Sequence, residues 1–233
     1  MAKRKVTQDL EVTEVKQVTG NAVSAGSFFE QNQRLLVYGL GVILLAVAGW
    51  YFYKTQIVEP KQQEAMAAMW QAEMLFERDS FQQALNGPEG GYDGFLAIID
   101  KYSGTKAANL SNYYAGVCYL QSNDIDNAMT YMDAFDPEND VLAAMKYGIL
   151  GDCYSEKQDF DKAMDFYGKA GDATENEVVA VVYLKRLGLL QEKQGKKEDA
   201  LKTFERIRRD YPNPGLTDWR EIEKYIYRLG GAK

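Results

Sequence analysis

The 233-residue chain contains no histidine. That absence removes Ser-His and Cys-His nucleophilic catalysis, His-ligated zinc and the commonest general base. Only two cysteines are present, too few for a structural zinc site. Cationic surface is scarce as well, with 27 Lys and Arg against 34 Asp and Glu. The first 34 residues are slightly basic: Lys3, Arg4, Lys5, Lys16 and Arg34 face Asp9, Glu11, Glu14 and Glu30. The remainder is therefore strongly acidic, and no basic stripe with interleaved aromatics exists, so no nucleic-acid partner is expected. No glycine loop suited to cradling phosphate is found, because Gly188 and Gly195 fall within a helical pattern rather than between strand and helix. Carboxylates gather at Asp133, Asp136, Glu138 and Asp140, but around Pro137 in a connection. A solvated linker supplies no shared pocket for acid–base work. The chain reads as a non-enzyme with no cofactor and no metal site; an enzyme with an unrecognised carboxylate site is the remote alternative.

One long apolar run is present. Leu35 to Tyr53 are nineteen residues without a charge, bracketed by Arg34 and Lys54. At a rise of about 1.5 Å per residue this nearly spans a hydrocarbon core of about 30 Å, so residues 34–54 are read as one transmembrane helix contacting lipid through 35–53. Trp50, Tyr51 and Tyr53 cluster at one end as interfacial anchors do. The competing readings are a buried core helix and a signal peptide cleaved after Ala46-Val47-Ala48. Against cleavage stand the 34 polar residues upstream and a mature start at Gly49-Trp50-Tyr51. Five basic residues precede the run, and Lys54 and Lys61 follow it closely. The positive-inside bias then puts the N-terminus in the cytoplasm and the rest on the far side. Residues 1–33 are polar and are expected to be a disordered cytoplasmic tail. Pro60 marks the expected juncture with the soluble part.

The second half repeats. Gly116 stands twelve residues before Ala128, Gly151 before Ala163, and Gly188 before Ala200, and the pairs recur after 35 and 37 residues. Other columns hold Asn112, Tyr147 and Leu184; Tyr119, Tyr154 and Gln191; and Met132, Tyr167 and Phe204. Small residues at such spacing let two helices of a hairpin cross closely. A period near that length built from two helices is the signature of a helical solenoid. The pattern places hairpins at 105–140, 141–176 and 177–212. Earlier, 61–104 reads as a degenerate first hairpin, with Ala68, Ala72 and Leu75 on its first helix and Phe95, Ile98 and Tyr102 on a displaced second one. Between them lies an insertion at 86–91, Asn86-Gly87-Pro88-Glu89-Gly90-Gly91, which is either a binding loop or a tolerated surface feature. Asp124 and Asp159 are placed to cap helices; the first lacks the mid-loop glycine and final glutamate of a calcium loop. After Tyr211-Pro212 a helix at 216–230, starting near Asp218 with Trp219, Ile222, Ile226 and Leu229 on one stripe, should cap the array. Cys118 and Cys153 share a column on adjacent first helices, where about 8–10 Å between axes exceeds the roughly 4.4–6.8 Å a disulfide needs. Buried free thiols are expected.

These columns resemble the tetratricopeptide repeat family over about residues 105–212. The resemblance implies an all-α fold: a right-handed helical solenoid of hairpins with a C-terminal capping helix, here preceded by one transmembrane helix. It also implies protein binding in a groove lined by the first helices. Members that clamp C-terminal carboxylates use a lysine followed four residues later by an asparagine. Those columns here hold Tyr113 and Val117, Gly148 and Asp152, and Lys185 and Leu189, so that clamp is missing. The expected groove residues are Tyr113, Val117, Leu120, Met145, Asp152, Lys185, Arg186 and Leu189, a mixture suited to an extended or helical protein segment; several could instead pack against the C-terminal helix. The tail, span and repeats together resemble the YfgM-like membrane-anchored proteins of bacteria. That resemblance implies an inner-membrane scaffold with a periplasmic repeat domain, serving secretion or envelope-protein quality control beside the secretion translocon or periplasmic chaperones. The alternative is a mitochondrial-type import receptor with cytosolic repeats.

Overall fold

A computed structural model describes residues 32–213 and 219–230. Residues 1–31 of the tail expected at 1–33, and the capping Asp218, lie outside the described residues. By its contacts the chain divides into two units, Met1–Glu59 and Pro60–Lys233.

In the first unit, residues 32–53 form helix α1. Its apolar side chains are exposed along the whole run, from Leu35 at 71% to Trp50 at 62%. The Lys54 ammonium lies 5.4 Å from the centre of the Trp50 ring. Among the described residues this is the one helix long and apolar enough to cross a membrane. A π-helical turn, Lys54–Val58, follows, in which the Glu59 N–H donates to the Lys54 carbonyl. Proline has no N–H and its ring crowds the carbonyl four residues back, which in an α-helix would force a break at Pro60. The wider turn absorbs both problems, and the backbone stays helical through Pro60. Pro60 opens the second unit, where the sequence puts the juncture, but without a break in the helix: α2 is Glu59–Phe76.

The second unit continues with α3 (Phe81–Asn86), α4 (Phe95–Lys101), α5 (Lys106–Gln121), α6 (Ile125–Ala134), α7 (Asp140–Glu156), α8 (Phe160–Asp172), α9 (Glu177–Lys193), α10 (Lys197–Asp210) and α11 (Trp219–Arg228). α5 pairs with α6, α7 with α8 and α9 with α10, while α8 packs on α9 and α10 on α11. Each hairpin turns by the same device. Asn123, Gln158 and Gly195 adopt φ of 62°, 59° and 75°. The next N–H reaches back five residues, from Asp124 to Tyr119, Asp159 to Tyr154 and Lys196 to Gln191, each at 2.9 Å. This left-handed residue with its 6→1 bond satisfies carbonyls that a helix end leaves orphaned. Asp79 has φ 56°, and Ser80 N–H donates to Leu75 O at 3.0 Å. The α2–α3 turn is thus a fourth copy.

That turn fixes the register of the degenerate hairpin. Ala72 and Ala84 are twelve residues apart, and both are fully buried, as are Ala128, Ala163 and Ala200. The second helix of this hairpin is split into α3 and α4. Phe95 comes eleven residues after Ala84, where Met132, Tyr167 and Phe204 come four after their alanines. The inserted loop is closed at its base: a Cβ on Gly94 would collide with Gly87 N and Leu85 O. Side-chain caps start the helices, Thr105 accepting from Ala108 N, Asn139 from Leu142 N and Asn176 from Val179 N. At the far end Ile222 and Ile226 of α11 are buried against Val181, Leu184, Phe204 and Ile207, covering the apolar flank that a last repeat exposes. Cys118 and Cys153 are free and buried, and burial pushes each thiol pKa up to about 12.

The first-helix face as candidate binding surface

Register places five positions of each first helix on one stripe, at four- and three-residue spacing. On α5 they are Lys106, Leu110, Tyr113, Val117 and Leu120; on α7 Val141, Met145, Gly148, Asp152 and Ser155; on α9 Val178, Val182, Lys185, Leu189 and Glu192. On α2 the equivalent positions are Gln62, Met66, Met69, Glu73 and Phe76.

Three of the expected groove residues belong to one network. Arg186 Nη1 donates to both carboxylate oxygens of Asp152 at 2.7 Å. Tyr167 on α8 donates its hydroxyl to Asp152 Oδ1, also at 2.7 Å. The Arg186 guanidinium lies 5.6 Å from the Tyr183 ring centre. The Tyr183 ring in turn fills the space where Gly148 lacks a side chain. Burial raises the Tyr113 hydroxyl pKa, with Tyr183, Tyr114 and Asp152 adding to the rise and Arg186 opposing it. Tyr167 is raised likewise, by burial and then by Asp152, so it stays a donor. Burial opposes the Arg186 charge, but Asp152 more than offsets it and its pKa stands above the ordinary value.

The others are arranged differently. Lys185 donates to Glu221 on α11 at 2.6 Å, so the adjacent positive charges expected at 185 and 186 are both balanced by carboxylates. Val117 is 8% exposed and clusters with Met132 and Leu150. Leu189 packs partly buried against the last core cluster. Leu120 and Met145 are partly buried. Tyr167, Tyr183 and Glu221 join this arrangement from outside the expected groove set; Tyr167 stands in a repeat column of its own, and the aromatic partner of a small-residue position is the clue to it and to Tyr183.

The carboxylate link between α6 and α7 also differs from expectation. Asp136 and Glu138 line an open hollow of about 410 Å³ with Ser103, Thr105, Lys106 and Asn112. The link is held rather than loose. Asn109 accepts from Asp136 N at 2.9 Å and donates to Asp136 O at 2.6 Å. Glu138 pairs with Lys106 at 2.7 Å. A second hollow, about 190 Å³ and mostly apolar, lies beside it between α2, α5 and the start of α7.

Residues 147–175 and 186–214 each match a tetratricopeptide repeat model. The first lies within the hairpin expected at 141–176, and the second overlaps the one expected at 177–212 and runs two residues past it. No curated protein matches the chain. The glycine columns, the repeated left-handed turn and these two matches agree: the chain carries a tetratricopeptide repeat array, folded as a helical solenoid.

Proposed function

We propose that this is a membrane-anchored scaffold whose first-helix face captures other proteins, in secretion or envelope-protein quality control. α1 is the single span of a bacterial inner membrane, the N-terminus is cytoplasmic and the repeats are periplasmic, as the basic residues before Leu35 suggest. One observation carries the binding role. The face combines a preset polar centre, Asp152 held by Arg186 and Tyr167, with apolar positions left open to solvent on either side. Met66 is 55% and Val178 58% exposed, and Val182 37%. A surface of fixed polar groups flanked by exposed apolar ones suits a protein segment, since little ordering cost remains to be met on binding. The translocon or its chaperones are the proposed neighbours. Full-length chain, solubilised from native membranes in mild detergent, should co-purify with membrane or secretory proteins. Val178→Glu together with Val182→Glu, both at exposed positions, should remove most of that capture while circular dichroism stays unchanged. Undiminished capture by the double variant would contradict the assignment of the face.

A further inference from the structure

The 190 Å³ apolar hollow has a composition and a setting that specify what enters it. Its apolar wall is Met66, Met69, Leu110, Phe135 and Leu142. The elements that form it are tied together by side-chain-to-backbone bonds rather than by loose contact. Gln62 on α2 accepts from Lys106 N at 2.9 Å, taking up a donor at the start of α5. Lys61 donates to Ser103 O at 2.9 Å. Lys146 donates to Phe135 O at 2.6 Å, fixing the end of α6. With Asn109 clasping Asp136 from both sides, the walls are set before anything binds. Such an apolar cleft, edged by few polar groups, is built for one large apolar side chain.

The charged side chains lining the hollow itself, Lys106 and Glu138, pair with each other. The α6–α7 link beside it adds exposed Asp136, with exposed Asp133 and Asp140 at its two ends, against Lys61 and Lys146. Lys146 is turned onto the Phe135 carbonyl. Asp140 keeps its charge to low pH, since the Thr174 hydroxyl and then the Val141 N–H hold its pKa below the ordinary value. Farther along the same edge, Glu175 and Glu177 stand exposed at the start of α9, next to exposed Val178. An apolar cleft with anionic surroundings complements an apolar residue flanked by cations.

We infer that this hollow anchors one large apolar side chain of a bound protein segment that carries Lys or Arg beside it. The inference rests on the scaffold reading above and names the chemistry of the captured segment. It assigns the hollow a role separate from the Asp152–Arg186 centre, and it gives the acidic link a function beyond completing a connection.

The test uses the full chain in lipid nanodiscs, with empty nanodiscs as the blank. The probe is a short fluorescent peptide with a leucine–phenylalanine centre and a lysine cluster at one end. Control peptides replace the lysines with glutamates or the apolar centre with serines. The lysine peptide should bind about tenfold or more tightly than either control. Met66→Asp, at an exposed site outside the core, should weaken binding by a further factor of about ten. Asp136→Lys should erase the preference for lysine over glutamate and flatten the salt dependence. Equal binding of the lysine and glutamate peptides, or indifference to Met66→Asp, would overturn the inference. So would a change in oligomeric state with Met66→Asp, which would give the hollow to a second copy of the chain. Crosslinks to other proteins from residue 145 separate the two failures: if they persist, only this inference falls, and if they too are absent the scaffold reading falls with it.

Discussion

The Tyr167 ring occupies the space that a methyl group on Gly151 would need, with Cδ1 2.6 Å from where that carbon would stand. The same relation recurs one repeat either side: Met132 lies over Gly116 and Phe204 over Gly188, the latter with ring atoms at 2.7 Å and beyond. The glycine column is therefore a socket for the side chain sixteen residues on, and the alanine twelve residues on packs beside it. Gly151→Ala should destabilise the full chain by about 1–3 kcal/mol through overpacking. Gly168 in α8 is a control, because a Cβ there meets only Leu187 at an ordinary 3.9 Å. Gly168→Ala should stabilise by about 0.5–1 kcal/mol through helix propensity. Urea midpoints compare the two, and equal shifts would contradict the socket.

Gln158 offers a gain rather than a loss. It holds φ 59° in the turn between α7 and α8, where the third repeat has Gly195. An L-residue there is strained by its Cβ, and glycine is not. Gln158→Gly should raise stability by about 0.5–1 kcal/mol, since relief of strain exceeds the entropy glycine gains in the unfolded chain. A loss of stability on denaturation would show that the Gln158 side chain matters more than its backbone.

The sequence made the repeat legible because small residues at fixed spacing are read along one chain. It did not show which residue fills each socket. Ala84 escaped notice as the partner of Ala72 because the inserted loop cuts the second helix just after it. Lys185 and Arg186 were placed on the correct helix, yet their partners sit 36 and 34 residues away, in positions that only the stacking of repeats brings together. The hollow beside Met66 was invisible for the same reason, since its walls come from α2, α5, the α6–α7 link and α7. Pro60 marks the boundary between the two units, and only the helix break is missing there, because a π-turn can accommodate what an α-helix cannot.

Alkaline pH should destabilise the fold. Burial raises the folded pKa of Cys118 and Cys153 to about 12, and that of Tyr114 to about 12, with Glu73 contributing. In the unfolded chain these groups ionise near their ordinary values of about 8.5 and 10. Above those values the unfolded state holds fewer protons than the native one, so stability falls as pH rises from about 9 toward 12. Urea midpoints should drop between pH 8 and pH 10.5, and both thiols should resist iodoacetamide at pH 8 until denaturant is added. A flat profile with rapid native alkylation would contradict the burial of both cysteines.

The proposed anchor predicts an intact chain. Mass analysis of membrane-extracted protein should show residues on both sides of the apolar run, not a species starting at Gly49. In spheroplasts, added protease should digest the repeats and spare the N-terminal tail. Loss of the tail with survival of the repeats would reverse the topology.

The most direct measurement of the central claim is site-specific photocrosslinking in intact cells. A photoreactive residue replaces Met145 on the first-helix face of α7, and in a second strain Thr130, exposed on the second helix α6. Residue 145 should give discrete adducts with other proteins and residue 130 few or none. Adducts of equal yield from both positions, or from residue 130 alone, would contradict a binding surface on the first-helix face.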